Sequence, residues 1–196
     1  MSPRTPHQNK EIRKERREQI LETALRLFAE GGYAATSISK IASEAGVAKG
    51  LIYNYFPSKE ALLEQIIHLA MEKMAGVFTI LHQQDKPEAT IKELLYYLRD
   101  ALKQEFLFLK FYSMLGPQLY DKQELLETFA DQMQDWYSSM HALMAALGYQ
   151  NPELETLKFS ATTDGITRNY ILMKEAYPLD AMIDYLVDSY QKNLPS

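Results

Sequence analysis

The stretch that most constrains this chain is Thr36 to Glu60, TSISKIASEAGVAKGLIYNYFPSKE. Ile38, Ile41, Ala42 and Ala45 fall at i, i+3, i+4 and i+7, which puts four apolar side chains on one face of a two-turn helix. Thr36 or Ser37 would cap the amides at its start. Gly46 would end it at the position where a left-handed backbone costs glycine least. Val47 supplies the apolar residue of the turn, and a second short helix is predicted from Ala48 to Phe56, with Ile52 and Phe56 turned inward. Pro57 stops it, Ser58 caps a third helix, and Glu60 sits in that helix's first turn. Two short helices around a glycine-containing turn form a helix-turn-helix, whose second helix lies in the major groove of duplex DNA.

The outward residues of that second helix carry suitable chemistry. Lys49, at its start beside Ala48, would reach a phosphate; Gly50 would let the backbone approach the groove closely. Leu51 suits a thymine methyl, and Asn54 suits adenine or a phosphate. Tyr53 and Tyr55 carry hydroxyls for phosphate oxygens, which position a protein rather than specify a sequence. Lys59 at the start of the next helix, with Thr36 and Ser37 before the first, would add phosphate contacts. In the alternative reading Tyr53 and Tyr55 pack inside the small domain and Lys49 is merely solvated. Upstream, Arg4 to Arg17 holds six Lys/Arg against two Glu, either a phosphate-seeking arm or an exposed helix of mixed charge.

These residues belong to a denser pattern. LF-x-E-x-GY at Leu27–Tyr33 is followed by IA-x-x-AGV at Ile41–Val47 and KG-x-x-Y-x-YF-x-SK at Lys49–Lys59. The run resembles the N-terminal domain of the TetR family of bacterial transcriptional regulators over about residues 15–65, and a TTDGI segment at Thr162–Ile166 is of a kind its members often carry. The resemblance implies DNA contacts at the helix-turn-helix positions named above. It also implies a dimer surface on the last two helices, repression of an operator, and release by a small effector.

The rest of the chain reads as all-α, because no hairpin turn signals separate alternating runs. Residues 1–9 hold two prolines and no periodicity and are expected to form a flexible arm. A helix-turn-helix domain would span 10–57, its first helix running from Lys10 to about Glu30. A helical effector-binding and dimerisation domain would span 58–196. The long helix from Ser58 to about His82 would carry a mechanical signal between the two.

Charge follows the same division. Residues 1–60 hold ten Lys/Arg against seven Asp/Glu, and residues 61–196 hold eleven against nineteen. A basic N-terminal third on an acidic body suits docking on phosphates; it also suits an ordinary charged helix on an acidic domain. No cysteine is present, which excludes disulfides, thiolate metal sites and cysteine nucleophiles, and fits a cytoplasmic protein. No apolar run approaches the ~18 residues a membrane span needs. His7, His68, His82 and His141 show no metal-ligand spacing, and neither a nucleophile elbow nor a phosphate loop occurs. Neither catalysis, a metal nor a cofactor is expected.

Two further surfaces are expected in the body. Leu179, Met182, Ile183, Leu186 and Tyr190 give the last helix a broad apolar face, while Leu157, Ala161 and Gly165 give its neighbour small and apolar positions. Together they would make a four-helix interface between two copies, or an internal core face. Phe78, Tyr97, Phe111, Met133, Trp136, Tyr137 and Met140, with the polar Thr163 and Asp164, would line an apolar effector cavity, or simply core. The function expected is a dimeric, sequence-specific repressor of a double-stranded DNA operator, released by a small hydrophobic or aromatic effector. The alternative is a helical protein-interaction adaptor.

Overall fold

The computed structural model describes residues 6–82, 86–118 and 123–192, and every regular element among them is helical. Helices α1 (Pro6–Gly31), α2 (Ile38–Glu44) and α3 (Lys49–Tyr53) pack with the first turns of α4 (Lys59–His82). The body follows as α5 (Pro87–Gln104), α6 (Phe106–Gln118), α7 (Gln123–Ala146), α8 (Pro152–Met173) and α9 (Leu179–Lys192). One 3₁₀ turn, Lys174–Ala176, lies between the last two.

The N-terminal core is built from the spacing read in the sequence. Ile20, Ala24 and Phe28 lie four apart along α1 and meet Ile41, Ile52, Phe56, Leu62 and Ile66, each at most 1% exposed. Burial of one such large side chain stabilises by about 1.5–3 kcal/mol. The angle between α2 and α3 is set at Gly46, whose φ is +64°. There the Val47 amide bonds the Ala42 carbonyl at 2.9 Å and the Gly46 amide bonds that of Ser43 at 3.2 Å, the paired reversed bonds of a Schellman ending. Gln19 of α1 donates to the Ala45 carbonyl at 3.1 Å, which fastens this corner to the first helix.

Element boundaries differ from expectation in two places that bear on function. Helix α1 begins at Pro6, so residues 6–9 extend the helix instead of belonging to an arm; Met1 to Thr5 lie outside the described residues. Helix α3 ends at Tyr53, while the amides of Tyr55 and Phe56 still bond the Ile52 carbonyl at 2.9 Å, and Pro57 disfavours any helical continuation through Phe56.

A second core fills the body with Leu81, Ile91, Leu95, Leu102, Met140, Leu143, Met144 and Ile183. Here α4 and α5 approach closely. The Tyr97 hydroxyl donates to the Lys73 carbonyl at 2.7 Å, and its ring lies on the α4 backbone, where a methyl group at Gly76 would come within 2.7 Å of ring atoms. Gly76→Ala is therefore expected to cost about 1–3 kcal/mol through overpacking. Thermal unfolding checks this, and an unchanged midpoint would mean the ring moves aside at no cost.

Candidate nucleic-acid interface

The short α3 buries Ile52 in the N-terminal core and turns the residues around it outward. Lys49, Gly50 and Asn54 are exposed, Tyr53 is 47% exposed, and Leu51 is half-buried at the edge. A side chain placed at Gly50 would meet nothing within 4 Å, so α3 presents an unobstructed backbone there. Ala48, at the N-cap, is exposed and makes no side-chain capping bond. Tyr55 is half-buried with its ring against the core, which settles where its body goes while keeping it at the end of the same surface.

The flanking polar residues divide by burial. Ser37 caps α2 by accepting from the Lys40 amide at 3.2 Å and remains exposed, which leaves its hydroxyl accessible from outside. Thr36 corrects the expectation placed on it. It is 2% exposed, and its hydroxyl donates to the carbonyls of Gly32 at 2.9 Å and Leu27 at 3.3 Å. A hydroxyl consumed in closing α1 has no reach to a phosphate. The Lys59 ammonium sits 4.1 Å from the centroid of the Tyr33 ring and donates to the Ala34 carbonyl at 3.4 Å, so its charge is held at the start of α4. Tyr33 in turn donates to Glu60 at 2.9 Å; burial and that carboxylate push its phenol well above the usual range.

The residues expected to line an effector cavity do not converge. Phe111 stands in the N-terminal core, 2% exposed and stacked on Phe28 with ring centroids 6.3 Å apart. Helix α6 thus delivers it to the DNA-binding end, a pairing that no local pattern signals. Met140 is fully buried in the second core. Phe78, Tyr97 and Trp136 are half-buried, and the Thr163 hydroxyl donates back to the Phe159 and Ser160 carbonyls of its own helix at 3.0 Å. Met133 is 44% exposed and accepts from the Tyr112 hydroxyl at 3.9 Å. Asp164 lies near that hydroxyl. Desolvation raises its carboxyl above the usual carboxylate range, Arg168 opposing, and Asp164 in turn helps burial raise the Tyr112 phenol. Tyr137 joins Gln134, Ser138, His141 and Glu153 around an open cavity of about 350 Å³.

The surfaces of α8 and α9 separate cleanly. Leu179, Ile183, Leu186 and Tyr190 are at most 8% exposed and Met182 packs on the same core, which corrects their expected place on an outer face. They are covered from within, chiefly where α9 lies along α5. By contrast Leu157 and Ala161 are exposed and Gly165 opens onto clear space. Their row continues at Leu154 and Leu172, 60% and 74% exposed, with Tyr185 of α9 also outward. Leu154, Leu157, Ala161, Gly165, Arg168 and Leu172 follow at helical spacing. Sequence spacing alone marks both faces of such a helix as apolar and leaves the outward one undecided.

Among the described residues no helix is long and apolar enough to cross a membrane, and no group of three or more His, Asp or Glu is placed to hold a metal. Fold and surface together define a helix-turn-helix protein with a helical body. The family described as "Bacterial regulatory proteins, tetR family" matches residues 20–66, so the helix-turn-helix segment is similar to the DNA-binding domain of that family. It is 43% identical over 84 residues to the uncharacterized HTH-type transcriptional regulator YerO of Bacillus subtilis, covering 41% of this chain and 29% of that one. Against the fatty acid metabolism regulator protein of the same organism it is 44% identical over 77 residues, 39% of this chain and 38% of the relative. The chain thus spans less than half the length of the curated relatives it matches. The fold extends further: the fatty acid degradation regulator FadR from Bacillus halodurans superposes with a TM-score of 0.71 over 98% of both chains at 21% identity.

Proposed function

We propose that the protein is a dimeric transcriptional repressor that binds a palindromic DNA operator through α3. The exposed Lys49 and Gly50 of α3, with Leu51 half-buried beside them and Ile52 fully buried beneath, in a segment that matches the TetR-family domain, carry this reading. Helix α3 lies in the major groove. Gly50 and Ala48 admit the backbone, Leu51 and Asn54 face bases, and Ser37, Lys49, Tyr53, Tyr55 and Lys59 hold phosphates. The outward row on α8, with Tyr185, supplies the contact between two copies. Such a protein acts by binding and not by catalysis, on DNA in the cytoplasm.

Helices 58–196 form the regulatory part in this reading, joined to the DNA-binding domain 10–57 by α4 and by Phe111 of α6. A small apolar or aromatic effector bound within this helical body favours a state in which the two α3 helices no longer match successive grooves. Coupling of about 1–3 kcal/mol corresponds to roughly 5- to 150-fold in operator affinity.

Selection of bound duplexes from a random pool, followed by anisotropy binding, tests the reading. Enrichment of a palindromic site supports it; only weak, salt-sensitive binding to every sequence would favour the adaptor alternative. Gly50→Glu is the matched control. The open space around Gly50 and the better helix propensity of glutamate leave stability essentially unchanged. A bulky anion at the groove is expected to lower operator affinity by at least roughly a hundredfold, about 2.7 kcal/mol. Retained affinity would remove α3 from the groove.

A further inference from the structure

Helix α1 carries two opposed stripes of charge in its first four turns. Lys10, Arg13 and Arg17 follow at spacings of three and four on one face, and Glu11, Glu15, Glu18 and Glu22 follow at four, three and four on the other. Lys14 lies between the stripes and is drawn to the acidic side by Glu18 at 3.9 Å. The basic face is turned toward the end of the helix-turn-helix. The Arg17 guanidinium lies 5.4 Å from the centroid of the Phe56 ring and donates to Gln65 of α4, and that of Arg13 lies 5.7 Å from the centroid of the Tyr55 ring.

These two cation–π contacts have different consequences. Arg17 is half-buried and ties α1 to α4, so the basic stripe keeps a fixed direction relative to α3. Arg13 is exposed. A cation–π contact at 5.7 Å occupies none of the guanidinium's N–H groups as donors to an oxygen, so they can donate to an oxyanion. Lys10, also exposed, stands one turn nearer the helix start. The acidic stripe on the far side would repel the same partner, so the segregation gives α1 a defined polarity toward phosphate.

We infer that Lys10 and Arg13, with the Tyr55 hydroxyl, form a second phosphate-binding surface that grips the DNA backbone flanking the bases read by α3. The inference rests on the operator-binding reading and extends it beyond the helix-turn-helix. The surface adds affinity and footprint length without adding base preference, because phosphate contacts carry no sequence information.

The test is a salt titration of anisotropy binding on the selected operator in two lengths, one ending at the half-sites and one extended by about five base pairs, half a helical turn, at each end. Wild type is expected to bind the long duplex more tightly and with a steeper salt dependence. Arg13→Gln should lower the slope of log K against log[salt] by about 0.9 per protomer on the long duplex, about 1.8 for the dimer, and abolish the preference for length. Lys10→Gln should act in the same direction, whereas Lys14→Gln should change neither quantity. A purely structural role for Arg13 would shift the melting temperature and leave the slope alone. Wild-type specificity with an unchanged Arg13→Gln slope overturns this inference and leaves the regulator intact. Failure of the wild type to select any operator overturns both.

Discussion

Phe111→Ala is expected to remove about 3–5 kcal/mol of stability, the usual cost of truncating a buried phenylalanine to alanine. The side chain is 2% exposed and stacks on Phe28, which in turn meets Tyr33 edge-on at 5.1 Å. The cavity therefore opens in the small N-terminal core although the residue lies 58 positions beyond the end of α3. For a chain of this size the loss corresponds to a fall of roughly 6–20 °C in melting temperature. Operator affinity should fall with it, since the same ring ties α6 to the domain that presents α3. Chemical denaturation followed by operator binding checks both. A loss below about 1 kcal/mol would mean that the core closes without this ring.

The second large effect concerns assembly. Leu154→Glu combined with Leu157→Glu is expected to convert a dimer to a folded monomer, because both side chains already face outward and folding does not depend on them. Two carboxylates facing their copies across a symmetric contact would be buried without partners, at a cost that a surface of this kind does not offset. Sedimentation would report the change of mass. Affinity for a palindromic operator should drop by roughly 10²–10⁴-fold, the part contributed by binding two half-sites at once. A double variant that stays dimeric would place the contact elsewhere.

These two expectations arise where sequence reading was weakest. Phe111 reads as one more aromatic in a Met- and aromatic-rich body, and nothing in its neighbourhood signals a partner in α1. The apolar face of α9 reads as an interface because periodicity reports that a face is buried and not against what. Leu179, Ile183, Leu186 and Tyr190 are covered by their own chain, while Leu154, Leu172 and Tyr185, absent from the sequence-based surface, face outward. Thr36 failed for a related reason: a hydroxyl near a helix start suits a cap, a phosphate or a backbone carbonyl, and the local path of α1 selected the carbonyls of Leu27 and Gly32.

Where the determinants are local, the sequence alone was sufficient. The apolar spacing of Ile38, Ile41, Ala42 and Ala45, the positive φ required at Gly46 and the stop at Pro57 all act within a few residues, so the helix-turn-helix and its exposed edge were legible before any contact was known. The tertiary structure alone decided which apolar face was shared with another helix of the same chain, which ring crossed from the body into the N-terminal core, and which way the charged stripes of α1 point. Those outcomes depend on pairings between residues far apart in the chain, and hydrophobic burial, being non-directional, does not name its partner in advance.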